Sequence, residues 1–177
     1  MVQNVNWVEK IGIHLNGTTA EKANKNIQGV IDECKKQGVT DKAQIAYILA
    51  TMEWETAHTF RPVEEAFWLS DEWRYKHLRY APYWGRAYVQ ITWEANYERF
   101  GRLLGVDLLK HPDLALYPPY AAFILVYGMK YGSFTGKRLA DYIYNGHNDF
   151  VGARKIINGT DKAHTIASIA KEYLEKL

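Results

Sequence analysis

The sequence holds a single cysteine, Cys34, among its 177 residues. No internal disulfide can form, and a reducing folding compartment is expected. Charge of one sign is equally scarce. The formal net charge is +2 and no run of Lys or Arg occurs, which argues against nucleic acid as a partner. No apolar stretch approaches the roughly 18 residues that a transmembrane helix needs, so stable membrane insertion is not expected. The N-terminus has no basic segment followed by an apolar one, so no signal peptide is expected either. Repeats, low-complexity segments and linkers are missing. The six histidines, His14, His58, His77, His111, His147 and His164, show no metal-ligand spacing. Neither metal nor cofactor is expected.

What is present is an ordinary globular composition, 47% hydrophobic and 24% charged. The length suits one domain over residues 1–177, with 1–40 as its helical N-terminal part. A monomer is expected. Aromatics reach 14%, with 6 Trp and 13 Tyr. They can fill a core, or line a cleft where ring faces stack on sugars, and composition does not choose between these.

The pattern is mainly helical. Thr19 can cap a helix that stops at Gly38, and Asp41 a second from Ala43 to about Glu55, with Ile45, Ile48, Leu49 and Met52 on one face. Residues 57–87 read as irregular, with a short helix near Asp71–Lys76. Ala87–Thr92 alternates like a short strand. Further helices are expected over Glu94–Leu104, Pro119–Tyr131, Phe150–Ile157 and from Asp161 onward.

Glycoside cleavage needs two carboxyl groups in different protonation states, one to protonate the leaving oxygen and one to activate water or attack. Glu53, Glu55, Glu64 and Glu65 cluster around the end of the second helix. At about 100° per residue, Glu55 falls on the edge of the apolar stripe and Glu53 slightly farther off its other side. A carboxyl in the last helical turn meets the negative end of the macrodipole, and partial burial adds a desolvation cost. Both favour the neutral acid that a proton donor must be. Glu65, in a polar stretch, is easier to keep ionised. Taken by position alone, these glutamates could equally be solvated surface charges.

Two stretches decide the matter. Trp54-Glu55-Thr56-Ala57-His58-Thr59-Phe60-Arg61-Pro62-Val63-Glu64-Glu65-Ala66 resembles the stretch of family 19 glycoside hydrolases that opens His-Glu-Thr and closes Glu-Ala. Tyr83-Trp84-Gly85-Arg86-Ala87-Tyr88-Val89-Gln90-Ile91-Thr92-Trp93-Glu94-Ala95-Asn96-Tyr97 is similar to its Tyr-Trp-Gly-Arg-Gly stretch. That family is chitinase-like and includes many phage and prophage endolysins. The resemblance implies a mainly α, lysozyme-like domain with a small β element near residues 83–92 beside the active-site cleft. It implies Glu55 as general acid, Glu65 as general base and Thr92 as a holder of the attacking water, with inversion at the anomeric carbon. Gln90, Tyr88, Asn96 and Asn158 would contact sugar, and Arg86 would support the site's shape. Asn96 and Asn158 also have plain readings, as a helix cap and a helix stop. Glu64 occupies the motif's variable position.

The departures from the family's pattern are Trp54 in place of its His, Ala87 in place of its Gly, and no Arg after Arg154. They favour the endolysin branch, with peptidoglycan glycan strands as partner. Such a protein would be made in a host cytoplasm and act at the wall once the membrane is breached. The rivals are a chitinase and a non-catalytic sugar-binding module. A zinc amidase or a hydrolase built on Cys34 finds no support.

Overall fold

A computed structural model describes residues 5–177. Its first helix, α1 (Trp7–Lys10), lies on α2 (Ala20–Lys36). Val8 N donates to Asn24 Oδ1 at 2.8 Å and Trp7 Nε1 to Gln28 Oε1 at 2.8 Å. Thr19 caps α2 by accepting from Lys22 N, and Asp41 caps α3 (Lys42–Glu55) by accepting from Ala43 N. Trp7, Ile11, Ile27, Val30 and Cys34 join the same core cluster as α3, so this N-terminal part packs on the core. Residues 1–4 lie outside the described part.

Helix α3 is the centre of the molecule. It packs most extensively on α8 (Ala163–Lys176), and also on α2 and α6 (Pro118–Tyr131). The single apolar stripe expected of it is corrected: Ala46 through Glu53 are all buried, whereas Ile45 is only partly so. A helix enclosed on several sides has no polar face to display. The same enclosure reverses the expected order of two glutamates, because Glu53 is 5% exposed and the Glu55 side chain 26%.

Helix α4 (Asp71–His77) is capped by Ser70, and α5 (Glu94–Leu104) closes at Gly105 in the left-handed conformation. A 3-10 turn over Pro112–Leu116 leads into α6. Where α6 ends, the Phe134 ring lies against Gly128 in space that a Cβ would occupy. Helix α7 (Leu139–Tyr142) runs into a hairpin, β1 (Ile143–Tyr144) and β2 (His147–Asn148). Its turn is Asn145-Gly146, both at positive φ, the geometry that this dipeptide favours.

The small β element thus sits at 143–148, not at 83–92. Residues 87–90 form a turn closed by backbone bonds between Arg86 and Ile91. Ala87, Tyr88 and Val89 are buried in succession, which a strand of period two does not allow. Ala87, at φ +88°, bends the chain back. Phe150–Ile157 is likewise shorter and tighter than expected, a 3-10 helix over Gly152–Ile156. The last helix begins at Ala163, after Lys162 in the left-handed region. No helix among the described residues is long and apolar enough to cross a membrane.

Candidate active site

A cleft of about 430 Å³ opens where the end of α3 faces the 87–92 turn and the start of α5. Glu55, Gln90, Thr92, Asn96 and Asn158 all line it, together with Phe134. Five residues singled out in the sequence therefore share one cavity, although they come from separate segments.

Glu55 is held from an unexpected side. Arg154 Nη1 donates to its Oε1 at 2.6 Å, and Arg154 Nε donates to the carbonyl of Asp161 at 2.7 Å. Arg154 is 2% exposed. The Glu55 carboxyl therefore faces a buried guanidinium. Nothing at the residue level announces the pair, since its partners stand 99 positions apart.

Gln90 is solvent-exposed in the cleft. Asn96 has its amide committed locally: Nδ2 donates to the Thr92 carbonyl at 2.8 Å, and Oδ1 accepts from Arg99 Nη2 at 3.1 Å. Each of these atoms keeps one further hydrogen-bonding direction. Asn158 is exposed at the cleft edge. Tyr88 corrects the expectation of sugar contact. It is fully buried in the core, its hydroxyl has no protein partner, and burial pushes that hydroxyl's pKa far above its ordinary value.

Glu65 is not among the cleft's lining residues. Its carboxylate accepts from the Tyr80 hydroxyl, at 2.8 and 2.5 Å to the two oxygens, and from Gly85 N at 3.1 Å. Tyr80's own pKa is pushed up to about 12, by desolvation first and then by Glu65, so the hydroxyl keeps its proton to donate. Gly85 links Glu65 to the cleft: a Cβ placed there would stand 2.8 Å from Gln90 Oε1 and 2.9 Å from Gln90 Cβ. The Tyr80 ring also meets that of Trp93, the neighbour of Thr92.

Glu64 has another environment. Arg74 Nη2 lies 3.2 Å from its Oε1, and Arg86 Nε lies 3.4 Å from its Oε2. Trp84 Nε1 donates to Oε2 at 3.1 Å. Both arginines are buried. Arg86 further donates to the Pro82 carbonyl and the Tyr97 hydroxyl and stacks on the Trp84 ring at 4.5 Å. The two adjacent glutamates thus divide: Glu64 neutralises a buried cationic cluster, while Glu65 binds neutral donors.

The fourth glutamate of the cluster, Glu53, was assigned no role in the sequence. Buried Glu53 accepts from the Tyr173 hydroxyl of α8, and His58 Nδ1 lies 2.7 Å from its Oε2. Burial raises its pKa, with His58 pulling the other way. Among the described residues no three His, Cys, Asp or Glu side chains gather as a metal site would require.

The fold has known counterparts. The family model described as chitinase class I, glycoside hydrolase family 19, matches residues 37–130, and the chain belongs to that family. A crystal structure of a chitinase C mutant superposes with a TM-score of 0.58 at 19% identity, covering 99% of this chain and 93% of that one, a likeness of fold. Endochitinase A2 of Pisum sativum is 49% identical over 41 residues, 23% of this chain and 13% of that protein. Endochitinase 1 of Theobroma cacao matches to the same extent. The matched stretch is therefore a small part of either plant protein.

Proposed function

We propose that the protein hydrolyses β-1,4 bonds between amino sugars, with Glu55 as general acid and Glu65 as general base, and that its substrate is the glycan strand of peptidoglycan. The observation that carries the reading is Glu55 in a cleft shared with Gln90, Thr92 and Asn158, in a chain of family 19. Glu55 gives its proton to the glycosidic oxygen as the bond breaks. Glu65 takes a proton from water, which attacks the anomeric carbon from the opposite face, and the product is inverted. Arg154 holds the Glu55 carboxyl in place and stabilises it once the proton has left. Tyr80 and Gly85 fix the orientation of Glu65, leaving Thr92 to steer the water. The separate surroundings of Glu64 and Glu65 support assigning the base to Glu65. Action at the bacterial wall, in the manner of an endolysin, belongs to the same proposal.

Chitin is the second reading, and the names of the relatives favour it. The two polymers share the N-acetylglucosamine unit, so one carboxyl pair could serve either. Reducing-sugar release from purified peptidoglycan and from chitin, followed by mass spectrometry of the products, decides between them. Activity on neither would sink the hydrolase reading.

A further inference from the structure

Directly after Glu65 the chain turns outward. Ala66 has φ +51°, and the next two side chains, Phe67 and Trp68, are 67% and 71% exposed. Their rings meet edge to face, 5.3 Å apart. The turn that carries them is pinned from beneath. Arg74, 4% exposed, donates through Nη1 to the carbonyls of Ala66 at 2.6 Å and Leu69 at 2.9 Å. Its Nη2 bonds Asp71 at 2.5 Å and faces Glu64. One buried guanidinium thus fixes both carbonyls flanking the aromatic pair and ties them to the neighbour of Glu65. Large apolar side chains held firmly in water by a buried charge mark a surface built to be covered.

We propose that Phe67 and Trp68 form an aromatic platform on which sugar rings of a bound glycan chain stack, a subsite lying outside the lining of the cleft. This rests on the glycan-binding part of the function proposed above. Continuity argues for a sugar occupant. The platform begins beside Glu65, and Glu65 reaches Thr92 through Tyr80 and Trp93. Charge argues the same way. Glu65 aside, the nearby carboxylates are already paired, Glu64 and Asp71 with Arg74, and Glu72 with Lys76 at 3.3 Å. The turn therefore offers ring faces with little excess charge, suited to the C–H face of an amino sugar and not to an anionic lipid surface.

The test reads binding without turnover. Glu55→Gln protein is sedimented with insoluble peptidoglycan and with chitin, with and without Phe67→Ala/Trp68→Ala. The alanine pair is expected to weaken binding by about tenfold. Phe67→Tyr/Trp68→Tyr should restore it to within about twofold, since ring faces return. Circular dichroism and melting temperature serve as the check on folding, and both substituted side chains are exposed. Unchanged glycan binding in the alanine pair overturns the platform, as does a Glu55→Gln protein that binds neither polymer. Loss of binding only to phosphatidylglycerol–phosphatidylethanolamine vesicles, with glycan binding intact, also overturns it and assigns the surface to a membrane. A wild-type protein that binds glycan yet releases no reducing sugar sinks the hydrolase reading, while weakened binding by the alanine pair would still support the platform.

Discussion

Arg154 and Glu55 form a 2.6 Å ion pair, joining the 3-10 helix over 152–156 to the last turn of α3. The arginine is the more deeply buried partner, and its second contact, to the Asp161 carbonyl, aims the guanidinium.

Glu55→Gln keeps the side-chain shape and a hydrogen-bonding oxygen but cannot deliver a proton. We expect glycan hydrolysis to fall by about 10²–10⁴-fold, and the melting temperature to fall as well, because buried Arg154 loses its anion. Arg154→Lys keeps the charge but cannot make both contacts at once. It should destabilise the fold by about 1–2 kcal/mol and lower turnover with it. Equilibrium denaturation alongside reducing-sugar assays separates the two effects, and full activity in Glu55→Gln would refute the assignment.

Glu64→Gln and Glu65→Gln should fail in different ways. The first leaves buried Arg86 without a carboxylate and Arg74 with Asp71 alone, and should cost about 2–4 kcal/mol, the lower end reflecting partial exposure of Glu64. The second should leave the midpoint of urea unfolding nearly unchanged and abolish hydrolysis. If Glu64→Gln is the stable and inactive one, the roles are exchanged.

The elements that could be read in the sequence are those whose signals are local. Thr19, Asp41, Gly105 and the apolar run from Pro119 announce helix starts, stops and burial within a few residues. The gathering of Glu55, Gln90, Thr92, Asn96 and Asn158 in one cleft was legible only through the family resemblance. What escaped reading depends on partners far apart in the chain: Arg154 with Glu55, Tyr80 with Glu65, Tyr173 with Glu53. The 87–92 turn misled because buried residues in a tight bend imitate alternation. The Asn145-Gly146 hairpin had a usable signal, an Asn-Gly pair between short β-favouring residues, which went unused.

Gly85→Ala tests the link between Glu65 and the cleft. The added methyl meets not only the flexible end of Gln90 but its Cβ, at 2.9 Å, so the turn must move. A destabilisation of about 1–3 kcal/mol is expected, with a loss of activity larger than stability alone explains. Activity per folded molecule equal to wild type would show the link to be dispensable.

Glu53 sets a pH dependence of stability. Burial raises its pKa in the folded protein above the ordinary value of 4.5. The folded state therefore binds the proton more tightly than the unfolded state, and this group's share of stability declines as pH climbs above 4.5. Glu53→Gln should flatten that decline in melting temperature measured against pH. An identical slope in the two proteins would exclude Glu53 as its source.

Cys34 is fully buried, and desolvation pushes its thiol pKa up to about 12. The native protein should resist iodoacetamide at neutral pH, and the unfolded protein should be labelled stoichiometrically. Rapid labelling of native protein would contradict this burial.

Glu55 rides on a helix enclosed by the body of the molecule, whereas Glu65 hangs from a turn by a tyrosine hydroxyl and one backbone amide. Their spacing is thus the product of two independent anchorages. Either can be loosened or shifted while the other stays true, so a substitution remote from both carboxyls can detune the gap between them and leave each intact.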